Sequence, residues 1–184
     1  MLPNLTKKVL VTGIGGNVGQ GILRNIRKFY GDEICILGTD LSSTTAGQFF
    51  CDETAQLPIY SAPHYIDNLK SLCKREGVDL IIPATDGEVV SIGKNADDLP
   101  DFVGSPTSTT SMCLDKFESF NRFHNAQLPF ADSCLPSAYD DRWDQFVVKP
   151  REGRGSRDIH YLTQWDNQFD DTFVIQKHLV GQEI

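Results

Sequence analysis

Four cations, Lys149, Arg151, Arg154 and Arg157, fall within nine residues of each other in a chain whose formal net charge is −8. Gly153 and Gly155 are interleaved with them, and Ser156 stands beside the last. Such a mixture suits a polyphosphate. The side chains supply charge, and backbone without a Cβ lets N–H donors approach closely. Lys149 closes an apolar run, Phe146-Val147-Val148. Lys116 stands 33 residues earlier, behind Asp115. Downstream, Val174-Ile175 leads into Gln176-Lys177-His178-Leu179 and then Glu183. Taken singly these are ordinary features. A lysine at a strand end is usually solvated, RxGRGSR can be a surface turn, and Asp115 can simply favour a helix start through the dipole.

A second chemical signal lies near the front. Thr12-Gly13-Ile14-Gly15-Gly16-Asn17-Val18-Gly19 fits TGxxGxxG, and Asp40 follows Gly19 by 21 residues. In a dinucleotide fold these glycines admit a pyrophosphate to a helix N-terminus and the acid binds a ribose hydroxyl. The catalytic Tyr-x-x-x-Lys of short-chain dehydrogenases is missing. Tyr30, Tyr60, Tyr65, Tyr139 and Tyr161 are followed four positions on by Ile34, His64, Leu69, Trp143 and Trp165. Tight strand-to-helix packing explains the glycines without any ligand. A small substrate group at Gly13, Gly15, Gly16 and Asp40, with Asp86 and Glu88 nearby, is the other reading.

The elements that must position these residues can be read from periodicity. Lys8–Thr12, Glu33–Gly38, Val78–Pro83 and Phe102–Gly104 read as strands, and Leu57–Ile59 as a short extended piece. Asn17–Phe29 reads as a helix with a stripe of Val18, Ile22, Ile26 and Phe29. A second helix begins at Pro63, and a third carries Val89, Val90 and Ile92. Alternating strands and helices predict an open parallel sheet with helices on both faces. The hydroxyl-rich run Ser105–Ser111 marks a soft boundary, which divides the chain into residues 1–110 and 111–184. Beyond it, Leu114–Asn125 and Trp165–Phe169 read as helices. Phe146–Lys149, Asp158–Leu162 and Phe173–His178 read as strands.

Composition excludes some functions. Acids outnumber bases, which argues against a nucleic-acid partner. No stretch approaches the roughly 20 apolar residues of a membrane span. The first eight residues hold no apolar core of signal-peptide length. Cys35, Cys51, Cys73, Cys113 and Cys134 are odd in number and scattered, as in reduced cytoplasmic thiols. His64, His124 and His160 lack ligand-like spacing.

The ordered set of Asp115-Lys116, Val147-Val148-Lys149-Pro150, the Arg/Gly loop and Gln176–Glu183 resembles the ATP-grasp family, most closely its carbamoyl-phosphate-synthase-like members. Gly38-Thr39-Asp40, Tyr65-Ile66-Asp67, Val78-Asp79 and Ile82–Glu88 resemble their leading domain. The resemblance implies an α/β chain, a Rossmann-like pre-ATP-grasp sheet followed by an incomplete, lid-type α+β subdomain. It implies ATP as cofactor and a small-molecule substrate whose carboxylate is phosphorylated and then attacked by an amine or similar nucleophile. Lys116 and Lys149 match the phosphate-facing lysines. Gly153, Arg154, Gly155, Ser156 and Arg157 match the flexible phosphate loop, and Arg151 stands beside it. Gln176, Lys177, His178 and Leu179 match the adenine hinge, although Gln176 departs from the acid often found there. Glu183 matches the ribose-binding carboxylate. The family's Mg²⁺ ligands fall after residue 184, so the chain reads as a truncated N-terminal piece, with a homodimer or a complementing chain as the partner. A non-catalytic ligand-binding module and an NAD(P)-dependent oxidoreductase or epimerase remain open beside this reading.

Overall fold

The computed structural model describes residues 7–153 and 155–181. The chain divides into two compact units, Met1–Thr110 and Ser111–Ile184.

The first unit is built on five parallel strands, β1 (Lys7–Val11), β2 (Ile34–Asp40), β3 (Glu53–Gln56), β4 (Leu80–Ile82) and β5 (Asp101–Phe102), in the order β3-β2-β1-β4-β5. The helices are α1 (Asn17–Tyr30), α2 (Tyr65–Glu76), α3 (Asp86–Gly93) and α4 (Thr107–Leu114), the last running across the boundary. Alternation along the central strands separates two cores. Val9, Val11 and Ile36 face Leu23 and Ile26 of α1. Leu10, Leu37 and Ile81 face Tyr65, Leu69 and Leu72 of α2 and Ile92 of α3. Burial pushes the thiols of Cys51 and Cys73 up to about 11.

Several elements differ from the sequence reading, each for a local reason. In α1 the inward stripe is Gly19, Leu23 and Ile26, while Val18 and Phe29 are exposed. Gly19 sets this rotation, because a Cβ there would lie 2.4 Å from the Gly13 carbonyl oxygen. A strand that the sequence reading omitted lies at Glu53–Gln56, just before the extended piece Leu57–Ile59. It is a polar edge strand, so it carries no apolar signal, and Leu57 is the buried residue that follows it. Leu114 ends α4, and a separate helix starts after Asp115.

The second unit pairs that helix, α5 (Lys116–Asn125), with an antiparallel sheet of β6 (Ser133–Cys134), β7 (Phe146–Pro150), β8 (His160–Leu162) and β9 (Phe173–Lys177) in the order β6-β9-β7-β8. Cys134, Phe146, Val148 and Ile175 form its core under Tyr139, Trp143, Trp165 and Phe169. Trp165–Phe169 is not helical. The two rings stack 6.1 Å apart, and Asn167 between them takes a positive φ of 58°. β8 begins later than expected because Asp158, at φ 57°, cannot continue a strand. Among the described residues no helix is long and apolar enough to cross a membrane.

Candidate functional site

The face of the second sheet opposite the aromatic cluster carries a polar row. Ser133 of β6 pairs with Gln176 of β9, Gln176 with Val147 of β7, and Val147 with Tyr161 of β8. Period-two alternation puts Lys149 on the same face, two residues beyond Val147. Val147, Lys149, Tyr161 and Gln176, together with Ala131, Ile159, His178 and Leu179, line a hollow of about 550 Å³, and Ser133 is buried beside Gln176. Its walls are part apolar and part polar, as a purine with a charged tail requires.

Lys149 is half-buried at the polar side of this hollow. Its Nζ donates to Gln176 Oε1 at 2.7 Å. Burial lowers its amine below the ordinary lysine value, and the charge of Lys116 lowers it further. Lys116 opens α5, where Asp115 caps the helix by accepting from the Phe117 and Glu118 N–H groups at 2.9 and 3.3 Å. The Lys116 ammonium donates to the Arg151 carbonyl at 3.1 Å. The Lys116 charge thus bears on Lys149 although the two lie 33 residues apart in sequence.

The remaining candidates are placed as follows. Arg151 turns toward Asp115, with contacts of 2.5 to 3.2 Å, and its guanidinium lies over the Phe117 ring. It lines a second hollow of about 570 Å³ with Glu152, Asp158 and Asp171. Gly153 lies beside Lys116, since a Cβ there would be 4.0 Å from its Nζ. Gly155 and Ser156 take positive φ values of 63° and 52°, and Arg157 is exposed. Lys177 is held through its backbone N–H to the Asp132 carbonyl at 2.8 Å. His178 meets Gln145 at 3.2 Å and stands edge-on to Tyr161. Leu179 is exposed at the rim. Arg154 and Glu183 lie outside the described residues. Ser133 and Tyr161 escaped the sequence reading. A two-residue strand has no periodicity, and Tyr161 stands three strands away from Ser133 only because of the pairing order.

In the first unit, Gly13 takes φ 58° at the turn after β1. Gly16 N–H donates to the Gly13 carbonyl at 3.0 Å, and Gly15 N–H donates to Asp40 Oδ2 at 2.7 Å. A Cβ at Gly15 would lie 3.0 Å from that oxygen and 3.3 Å from Thr45. The approach that TGxxGxxG offers to a pyrophosphate is thus occupied at Gly15 by the protein's own side chains. Asp40 also edges a smaller hollow of about 220 Å³. Asp86 is exposed in the first turn of α3. Glu88 accepts from Thr12 and Thr85 hydroxyls at 2.7 Å each and from the Tyr65 hydroxyl at 3.2 Å. It ties β1, α2 and α3 together. Burial, and then Glu88, push the Tyr65 phenol well up. Among the described residues no group of three or more His, Cys, Asp or Glu is placed to hold a metal ion.

Comparison with solved structures places this architecture among known folds. N5-carboxyaminoimidazole ribonucleotide synthetase from Thermotoga maritima matches with a TM-score of 0.68 at 16% identity, over 94% of this chain and 46% of that one. L-amino acid ligase from Bacillus licheniformis matches with 0.70 at 12%, over 94% and 44%. The biotin carboxylase domain of Hydrogenobacter thermophilus 2-oxoglutarate carboxylase, solved with MgADP, ADP and bicarbonate, matches with 0.69 at 15%, over 94% and 44%. At these identities the likeness is one of fold, and the chain spans about half the length of these structures. No curated protein sequence matches the chain. A family described as "PylC-like, N-terminal domain" matches residues 9–101, half of the chain.

Proposed function

Because the chain belongs to the family of PylC-like N-terminal domains, we propose that it forms the leading domain and the first nucleotide-holding part of an ATP-grasp ligase. The reaction assigned to the whole enzyme is activation of a carboxylate as an acyl phosphate, followed by attack of an amine or similar nucleophile. One observation carries this reading. Lys149, held by Gln176, lines a hollow of about 550 Å³ that Val147, Tyr161 and Leu179 also line. The carboxylase domain of similar fold, solved with ADP, supports the choice of nucleotide.

ATP, when bound, supplies the phosphoryl group. The chain's own contribution is binding and orientation. Val147, Tyr161 and Leu179 offer apolar surface to the base, and the backbone of Gln176–Leu179 offers hydrogen bonds to its edge. Lys149 and Lys116 meet the phosphates. Gly153, Gly155, Ser156 and Arg157 belong to the loop that folds over them, with Arg154 as a further cation and Glu183 as the ribose acceptor. Arg151 acts indirectly, by clamping Asp115 and so fixing the helix start that presents Lys116. The Mg²⁺ ligands are assigned to residues outside this chain. Asp86, exposed in the first turn of α3, and Asp40, part-buried beside Gly15, are acceptors suited to a cationic or hydroxylated substrate.

Thermal unfolding of the full chain tests this. ATP and ADP should each raise the midpoint, NAD⁺ and NADPH should not, and Lys149→Ala should abolish the nucleotide effect. Stabilisation by NADPH and not by ATP would sink the ligase reading.

A further inference from the structure

A directed chain of hydrogen bonds starts from the Lys149 and Gln176 side chains that line the hollow. A lysine ammonium has donors and no acceptor, so Lys149 Nζ at 2.7 Å fixes the facing Gln176 atom as the carbonyl Oε1. The amide nitrogen then faces Ser133, and Nε2 donates to its Oγ at 3.0 Å. Ser133 in turn donates to the Ala131 carbonyl at 2.9 Å. The polarity runs one way, from ammonium to amide to hydroxyl to carbonyl. Each link comes from a different piece of chain, namely β7, β9, β6 and the segment before β6.

We infer that Gln176 is a positioning residue, anchored by Ser133, that holds the Lys149 ammonium in the hollow without cancelling its charge. This rests on reading the hollow as a phosphate-binding site. The residue type matters as much as the contact. A carboxylate of the same shape would hold the lysine more tightly, but as an ion pair, and a phosphate would then have to compete with it. A neutral carbonyl oxygen orients the amine and leaves its full charge for an incoming anion. The amide also explains the serine. A glutamate has no N–H to give Ser133, whereas Gln176 has two, and the serine hydroxyl fixes which way round the amide sits. Since Oε1 is directed at Lys149 and Nε2 at Ser133, the side chain is committed to the phosphate end of the ligand rather than to its base.

Calorimetric titration of the full chain with inorganic tripolyphosphate, ADP and adenosine tests the inference, alongside thermal unfolding and ¹⁵N NMR titration of the Lys149 amine. Gln176→Glu should weaken tripolyphosphate and ADP by about tenfold, the equivalent of one offset charge contact. Adenosine affinity and the unfolding midpoint should be retained. Ser133→Ala should weaken the same two ligands by a smaller factor, through loss of the amide's orientation. A purely structural role for Gln176 predicts instead that stability and affinity fall together, and that result overturns the inference. So does a Gln176→Glu chain that binds tripolyphosphate as tightly as the original. If the unaltered chain binds none of the three ligands, the nucleotide reading falls, and the amine titration decides alone. Lys149 must then titrate higher in Gln176→Glu than in the original chain and lower in Gln176→Leu. Equal values in all three overturn the positioning role.

Discussion

Asp115 shows how one side chain can serve structure and site at once. Burial pushes its carboxyl up, but hydrogen bonds from Arg151 and from the Glu118 and Phe117 N–H groups, with the Arg151 charge, outweigh that and hold it below the ordinary 3.8. A carboxyl held low in the folded state stabilises the fold above its unfolded value, and that contribution is lost as pH falls through the lower, folded value. Asp115→Asn should therefore cost about 1–2 kcal/mol at pH 7 through the lost carboxylate charge at the helix start and the broken ion pair with Arg151. The gap between variant and original should close below about pH 4. Urea unfolding at pH 7 and at pH 3 checks this; a gap that is the same at both values would show that the carboxylate charge is not the source. At this scale the sequence was partly legible. Asp115 as a helix-start residue and Lys149 at a strand end were visible from position alone. The partnership of Gln176 with Ser133 was not, because it joins residues 43 apart through a strand of two residues.

At the scale of the element, α1 offers a comparison within a single helix. Gly19 presses on the turn after β1, and a Cβ there would lie 2.4 Å from the Gly13 carbonyl oxygen and 2.9 Å from the Ile14 Cα. Gly21, two residues on, has nothing within 4 Å of the same hypothetical atom. Gly19→Ala should destabilise by about 1–3 kcal/mol through overpacking against backbone. Gly21→Ala should stabilise by about 0.5–1 kcal/mol, because alanine loses less conformational freedom in a helix interior. Chemical denaturation of the two variants should move in opposite directions, and a shared direction would refute this account of the glycines. The same helix shows why periodicity placed only half of a stripe, with Ile22 and Ile26 in the core and Val18 and Phe29 outside it. Val18, Ile22, Ile26 and Phe29 are apolar at helical spacing, but the close approach of Gly19 rotates α1 so that Leu23 faces the sheet. Central strands such as β1 and β2 were legible because burial on both faces demands continuous apolar runs. β3 and β6, polar or two residues long, carry no such mark. Trp165 and Phe169 imitate a helix because residues four apart also stack across an irregular turn.

At the scale of the whole molecule, the two units carry unequal optical labels. The chain has two tryptophans, Trp143 and Trp165, and both belong to the aromatic cluster of the second unit. Tryptophan emission therefore follows residues 111–184, while far-ultraviolet circular dichroism follows the helices of both units. Saturating ADP should shift the emission transition by about 2.7 kcal/mol at a hundred times its dissociation constant. An emission transition that ignores ADP while the dichroism transition shifts would move the nucleotide to the first unit. The parallel order β3-β2-β1-β4-β5 was predictable in kind from alternating strands and helices. The antiparallel order β6-β9-β7-β8 was not, since nothing in the local sequence says which of four short strands lie side by side.

That second order has a consequence for how binding competence arises. Ser133, Gln176, Val147 and Tyr161 lie abreast only because four strands meet in one alignment. A slip of β7 by a single residue would turn Lys149 inward among the aromatic rings and expose Val148 in its place. On the proposed reading, misaligned chains would remain collapsed yet stay blind to nucleotide, so a bound ligand would select the correctly assembled sheet from its mispaired competitors.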